Sequence, residues 1–232
     1  TVTRSTLRQR FGRRTQPRGP FYVALAGNIG VGKSMITRLL GQTLGWRMHF
    51  EPVINNPYLD DFYADMRRWS FHLQVYFLSQ RFAVQKDILD HGGSAVQDRT
   101  IYEDVEIFAP TLHRRGSMDR RDYDNYREIF ENMTAFLRPP DLILYLWCRP
   151  ETALARIRAR GRACEREIPL DYLEDLHAAY EDWIERAPAL CPVERIDTEQ
   201  LDLREDPETQ AQLLATVASY HRDKAEREEA ET

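Results

Sequence analysis

Five short strand-like segments, the first and fourth of them continuous apolar runs, alternate with stretches of helical periodicity and predict an α/β protein, a five-stranded parallel sheet flanked by helices on both faces. Two further observations point the same way. A glycine-rich turn joins the first segment to the first helix, and acids follow the second and third segments, where the carboxyl ends of parallel strands collect ligands.

Residues 21–26 form an apolar run that stops at a glycine and reads as a buried strand. Residues 34–44 carry Ile36, Leu39, Leu40 and Leu44 at helical spacing, and Gly45 ends that helix. Residues 47–50 are a second strand, cut off by Pro52. A long amphipathic helix over 69–89 runs through Leu73, Tyr76, Phe77, Phe82 and Val84, and His91-Gly92-Gly93 closes it. Residues 94–97 are the third strand, and helical pattern returns from Ile101. The continuous apolar run 141–147, after Pro139-Pro140, is the clearest strand. Residues 151–160 are helical and strongly basic, 170–186 are helical, 193–196 make a last strand, and 208–232 form a polar helix. Neither a repeat nor a linker interrupts the pattern, so residues 20–232 are expected to form a single domain.

The 232 residues are 42% hydrophobic, enough for one sizeable core. Residues 1–19 hold Arg4, Arg8, Arg10, Arg13, Arg14 and Arg18 and no acid, so the remaining body is more acidic than the net charge of −5. An acidic body argues against a nucleic-acid partner, which needs clustered Lys and Arg. No apolar run reaches the length of a membrane span, so no membrane partner is expected. Cys148, Cys164 and Cys191 lack CxxC spacing and read as reduced thiols of a cytoplasmic protein. The leader 1–19 resembles a transit peptide in being Arg-rich and acid-free, which leaves a mitochondrial address as the alternative. With Gly12, Pro17, Gly19 and Pro20 it is expected to be disordered. Trp46, Trp147 and Trp183 are expected to pack in the core, and the six histidines show no metal-ligand spacing.

The run Gly27-Asn28-Ile29-Gly30-Val31-Gly32-Lys33-Ser34 matches the Walker A pattern and lies between a strand and a helix. Its glycines let backbone N–H groups turn around phosphate oxygens at a helix N-terminus. Lys33 adds a point charge for the β- and γ-phosphates, and Ser34 offers a hydroxyl to Mg²⁺. The motif therefore predicts a P-loop for nucleotide phosphate and does not name the acceptor; that the chain is a P-loop kinase with ATP as donor rests on the residues downstream of it. Glu51, after the second strand, is placed to take a proton from an attacking hydroxyl. Asp98-Arg99, after the third, pairs an acid suited to Mg²⁺ with a cation suited to transferring phosphate. For each acid a structural ion pair is the alternative. Arg156, Arg160 and Arg162 surround Gly161 and read as an Arg-rich lid closing on an anion, the alternative being a solvated basic face.

Taken in order, the glycine-rich run, Glu51-Pro52, Trp69-Ser70-Phe71 with Gln74 and Phe77-Leu78, and Asp98-Arg99-Thr100-Ile101-Tyr102 with Asp104 resemble the deoxynucleoside kinase family. The segment from Arg156 and Arg160-Gly161-Arg162 through Glu165, Ile168-Pro169-Leu170 and Tyr172-Leu173 to Leu176-His177 is similar to that family's lid and following helix. The likeness spans about residues 21–200. It implies that Glu51 is the general base for a 5′-hydroxyl, that Arg99 holds that hydroxyl and the reacting phosphate, and that Asp98 assists with Mg²⁺. Lys33 and Arg160 would serve the transferring phosphate, and Arg156, Arg160 and Arg162 would close over ATP. Gln74 would grip the base edge, and Tyr63 and Glu165 the 3′-hydroxyl. The family often carries Glu at position 98 and Ser at position 100, so Asp98 and Thr100 depart from its pattern.

Arg81 lies seven residues after Gln74, two turns along one helix face. The resemblance pairs Arg81 with Asp104 at the back of the base pocket, as in the family's purine and deoxycytidine branch, and Phe77 adds a ring beside the base. The expected substrate is a purine deoxynucleoside, deoxyguanosine or deoxyadenosine, with deoxycytidine as an extra acceptor, in nucleotide salvage. Tyr123, Tyr126, Ile129, Phe130, Met133 and Phe136 form an apolar stripe; the resemblance implies a homodimer interface there, and burial in the protein's own core is the alternative. Two rival functions share the fold. A thymidylate-type monophosphate kinase would need a cation for the acceptor phosphate, yet His49-Phe50 precede Glu51 with no Arg at the matching position. A catalytically retired accessory subunit would have no need to keep Lys33, Glu51, Arg99 and the lid arginines together.

Overall fold

The structure, a computed structural model, describes residues 4–11, 17, 19–51, 56–201 and 203–231. The strands are β1 (Tyr22–Ala26), β2 (Arg47–His49), β3 (Ala95–Asp98), β4 (Leu142–Trp147) and β5 (Val193–Asp197). They form one sheet in the order β2-β3-β1-β4-β5, and every pairing is parallel. β1 sits at the centre, and the chain order reverses across it. The end of β1 is therefore a topological switch point, where a crevice opens beyond the strand termini. The register sets Leu25 against Asp98, so the third strand delivers its last acid directly beside the glycine-rich turn.

Strand periodicity divides the core in two. Tyr22, Ala24 and Ala26 of β1, with Ile143 and Tyr145 of β4, face one apolar layer. That layer is closed by α4 (Met66–His91), α7 (Arg120–Thr134) and α9 (Leu170–Arg186). Val23 and Leu25, with Leu142, Leu144 and Leu146, face the other layer under α2 (Lys33–Leu44) and α10 (Pro207–Ala230). The short α3 (Leu59–Ala64) precedes α4, and α8 (Pro150–Arg160) follows β4. After β3 comes a continuous helical stretch, α5 (Ile101–Glu103), a π-helical turn over Asp104–Phe108, and α6 (Ala109–Arg114). The long helix begins three residues earlier than its apolar pattern, because the Asp65 side chain caps it by accepting from Arg68 N–H at 3.1 Å. Among the described residues, no helix is long and apolar enough to cross a membrane.

One expectation fails. Part of the leader taken as disordered is the helix α1 (Arg4–Phe11), which packs against α2 and α10. Its Leu7 is 1% exposed and joins the second apolar layer. Composition pointed to disorder because the segment has few apolar residues, but one leucine docked between two existing helices is enough to order a turn or two. Residues 12–16 and 18 of the leader, and Pro52 of the expected Glu51-Pro52 turn, lie outside the described residues. Trp46 and Trp183 are buried as expected, whereas Trp147 is half-buried with Arg195 5.2 Å over its ring. The expected apolar stripe is mixed: Tyr126 of α7 is buried in the core, whereas Phe136 lies in the turn beyond the helix and is 82% exposed.

Leu7→Ala should lower the free energy of unfolding by about 2 kcal/mol, the low end for a buried leucine. Urea unfolding measures it, and an unchanged midpoint would mean that α1 does not dock.

Candidate active site

The glycine-rich turn leaves β1 through three glycines at positive φ, Gly27, Gly30 and Gly32. Two of them are fixed by packing as well as by backbone angle. A Cβ on Gly27 would lie 2.4 Å from the Leu146 carbonyl oxygen, and one on Gly30 would lie 2.6 Å from that of Ala153. The turn can thus be pressed against β4 and α8 only without side chains. Lys33 bends its ammonium back across the turn and donates to the carbonyls of Gly27 (2.7 Å) and Asn28 (2.9 Å). Burial, assisted by the nearby Arg99 charge, lowers its pKa to about 8. Asn28 does not aim its side chain into the cradle: Nδ2 donates to Leu173 O at 2.8 Å and ties the turn to α9. Its expected contact with the nucleotide is therefore limited to its backbone.

Beside the cradle, Ser34 Oγ donates to Asp98 Oδ2 at 2.5 Å, while Asp98 Oδ1 is buried without a partner. Burial raises the Asp98 pKa against the pull of Lys33. The next residue, Arg99, has φ 68, a conformation uncommon outside glycine and one that marks functional strain. The strain turns its guanidinium under the cradle, where it is 1% exposed. There Nη2 donates to Gly27 O at 3.3 Å, Nη1 donates to the Tyr180 hydroxyl at 2.8 Å, and Nε is 2.9 Å from Glu51 Oε1. The same Glu51 oxygen accepts from Arg81 Nη2 at 2.7 Å. Burial opposes ionisation of Glu51, but Arg99 and Arg81, with Lys33, outweigh it and hold the pKa at about 2.

A cavity of about 500 Å³ opens on one side of Glu51. At its inner end Arg81 Nη1 donates to both oxygens of Asp104, at 2.6 and 2.7 Å. The Arg81 guanidinium lies 4.4 Å over the Phe77 ring. Burial pushes the Asp104 carboxyl up to about 7 in spite of Arg81. Asp104 opens the π-helical turn, a local widening that often re-aims a functional side chain. Gln74 Oε1, also on this wall, is buried with no partner. Tyr63 and Glu165 line the same cavity, as do Tyr172, from the lid-like motif, and Leu59, Phe62 and Phe108, which the sequence analysis did not single out.

On the other side of Glu51 lies a wider cavity of about 1270 Å³, lined by Lys33, Ser34, Asp98, Arg156, Arg160 and Arg162, and also by Arg38. A neighbouring cavity of about 880 Å³ shares Arg156 and Arg204 with it and extends to Thr198 and Gln200. The lid arginines are not an unpaired cluster. Arg160 and Arg162 both donate to Glu165, at 2.5 and 3.1 Å, and Arg156 donates to the hydroxyl and carbonyl of Thr198, each at 2.8 Å. Glu51, Arg99 and Glu165 line both the 500 and the 1270 Å³ cavities. A group held in the small cavity would therefore meet a group held in the large one at the Glu51–Arg99 seam. The sequence reading missed Glu103 and Tyr180, which brace Arg99 from behind; the only local hint was the Thr100-to-Glu103 capping-box spacing.

Among the described residues, no group of three or more His, Cys, Asp or Glu is arranged to hold a metal ion. A family model for deoxynucleoside kinase matches residues 23–221. The chain is 43% identical over 203 residues to a deoxyadenosine/deoxycytidine kinase of Bacillus subtilis, covering 87% of this chain and 93% of that protein. It is 42% identical over 193 residues to a deoxyadenosine kinase of Dictyostelium discoideum, covering 83% and 77%. The structure of deoxyadenosine kinase from M. mycoides with bound dATP aligns at a TM-score of 0.74 and 31% identity, over 84% of this chain and 97% of that one. Sequence and fold thus agree: the chain belongs to the deoxynucleoside kinase family and is a kinase of deoxynucleosides.

Proposed function

We propose that the chain transfers the γ-phosphate of ATP to the 5′-hydroxyl of a purine deoxynucleoside, with deoxyadenosine preferred and deoxycytidine as an extra acceptor. The observation that carries the base assignment is the inner wall of the 500 Å³ cavity. It offers an unpartnered acceptor, Gln74 Oε1, next to a carboxylate, Asp104. Acceptors there suit the exocyclic amine of adenine or cytosine, whereas the O4 carbonyl of thymine would face a carboxylate. Arg81 fixes Asp104 in place, and Phe77 offers a ring at the base edge. The names of the B. subtilis and D. discoideum relatives support the same preference.

Tyr63 and Glu165 would hold the 3′-hydroxyl, which leaves the 5′-hydroxyl at the seam. Glu51 stays ionised across the working pH range and accepts that hydroxyl's hydrogen. At a pKa of about 2 it is a weak base. That suits phosphoryl transfer through a loose transition state, in which the nucleophile needs orientation more than early deprotonation. Its charge also repels an acceptor that already bears a phosphate, which favours a neutral nucleoside. Lys33, Arg99 and Arg160 would stabilise the charge on the transferring group, with Gly27, Gly30, Gly32 and the Asn28 backbone cradling the donor and Arg156 and Arg162 closing on it. Ser34 and Asp98 fit Mg²⁺: both offer hard oxygen, and the buried Asp98 Oδ1 has no protein partner. When bound there, the ion would neutralise phosphate charge.

A homodimer through α4 and α7 is part of the reading. The two helices pack together, and Val75, Phe82, Phe130 and Met133 remain half-exposed on them. The three free cysteines support a reducing compartment such as the cytoplasm.

Glu51→Gln should lower kcat by about 10³-fold while deoxyadenosine still binds, the range for losing a positioned general base. Steady-state kinetics with calorimetric binding checks it, and near-normal kcat would remove Glu51 from that role. A panel of acceptors with ATP should rank deoxyadenosine first, deoxycytidine next and thymidine last, with no turnover of deoxynucleoside monophosphates; thymidine as the best acceptor would overturn the base assignment. Asp104→Asn should narrow the gap between deoxyadenosine and thymidine by about tenfold in kcat/KM, since a single pocket contact is worth roughly 1–3 kcal/mol.

A further inference from the structure

Glu103 touches neither cavity and belongs to none of the matched motifs, yet it is 0% exposed. Its Oε2 accepts from the Thr100 backbone N–H at 2.8 Å and completes a capping box. The cap leaves Oε1 unexplained. That oxygen accepts from the Tyr180 hydroxyl at 2.6 Å and from the Gly27 N–H at 3.3 Å, and it lies 3.7 Å from Arg99 Nη1. Tyr180, on α9, is also 0% exposed. Its oxygen accepts from Arg99 Nη1 at 2.8 Å while its proton goes to Glu103, a double role that a phenol can fill. Its ring is held by stacking on Tyr145, with centroids 5.8 Å apart and planes 18° apart.

We propose that Glu103 and Tyr180 are positioning residues for phosphoryl transfer, holding the Arg99 guanidinium and the first amide of the glycine-rich cradle in one frame. The proposal rests on the reading of Arg99 as the group that meets the reacting phosphate. Arg99 has two anionic neighbours with different duties. Glu51 faces the substrate and shares its oxygen with Arg81, so it exchanges partners when an acceptor hydroxyl arrives. Glu103 is sealed behind Arg99 and exchanges with nothing. It remains the counter-charge when Glu51 turns away, and Tyr180 sets the direction of the Nη1–H bond. Because Glu103 also holds Gly27 N–H, a shift of the cradle and a shift of Arg99 are coupled, and donor and cation keep their spacing. An error of about 1 Å in such spacing costs on the order of 100-fold in rate.

Tyr180→Phe deletes only the hydroxyl, and Glu103→Gln keeps an acceptor for Thr100 while removing the charge. Assayed below their melting midpoints, both should lose roughly 10- to 100-fold in kcat with KM for ATP and deoxynucleoside within about threefold. Arg99→Lys supplies the second edge of a cycle. If Tyr180 acts through Arg99, adding Tyr180→Phe to Arg99→Lys should cost no more than about twofold further. Losses that multiply in the double variant, or kcat within about threefold of wild type in both single variants, would overturn the proposal. Near-normal kcat in Arg99→Lys alone would instead overturn the reading of Arg99 on which it rests.

Discussion

The site depends on keeping one buried cation paired. Arg99 is fully enclosed, and a guanidinium without partners at such depth would cost several kcal/mol. Its partners come from four separate places in the chain: Glu51 at the end of β2, Gly27 O in the cradle, Glu103 in α5 and Tyr180 in α9. Satisfying that one charge therefore fixes the positions of the strand ends, the cradle and the acceptor side relative to each other. The positive φ of Arg99 is the local strain accepted for this arrangement, and the surrounding contacts over-determine it.

The other charges of the site are paired in a different sense, with each other and in ways a ligand can replace. Arg81 divides itself between Asp104 and Glu51, and Arg160 and Arg162 share Glu165. These pairs line open cavities, so in the proposed reading their contacts would be exchanged for a base edge, a sugar hydroxyl or a phosphate without leaving a charge bare. Glu165 lines both cavities, and in the proposed reading it would release the lid arginines as it turns to the sugar. The charges behind Arg99 have no such freedom. The site thus combines a rigid rear, built from Glu103 and Tyr180, with a front whose ion pairs are exchangeable.

Local chemistry was readable because local spacing carries it. The glycine-rich run follows β1, Glu51 follows β2 and Asp98 ends β3, and the buried strands β1 and β4 are continuous apolar runs in the sequence. Apart from the Arg81–Asp104 pair, long-range satisfaction was not readable. Gly27 and Gly30 looked like phosphate glycines, but the carbonyls of Leu146 and Ala153 also exclude a side chain there, and those lie more than a hundred residues away in sequence. Asn28 looked like a nucleotide contact, and its amide instead serves Leu173. The three lid arginines looked like a cluster awaiting an anion, and Glu165 already sits between two of them. The leader failed for a related reason: composition measures how little apolar surface a segment has, and one docked Leu7 suffices when the groove is already built.

By itself the sequence determined the fold class, the glycine-rich turn, the order of the motifs and the family, because each is written in residues close together along the chain. The Arg81–Asp104 pair apart, only the tertiary structure decided which charges are paired and which atoms are left open. Gln74 Oε1 and Asp98 Oδ1 are unpartnered, and Glu103 is sealed behind Arg99. Those outcomes depend on which surfaces of distant helices close over the strand ends, and a buried charge or amide finds its partner by packing rather than by sequence spacing.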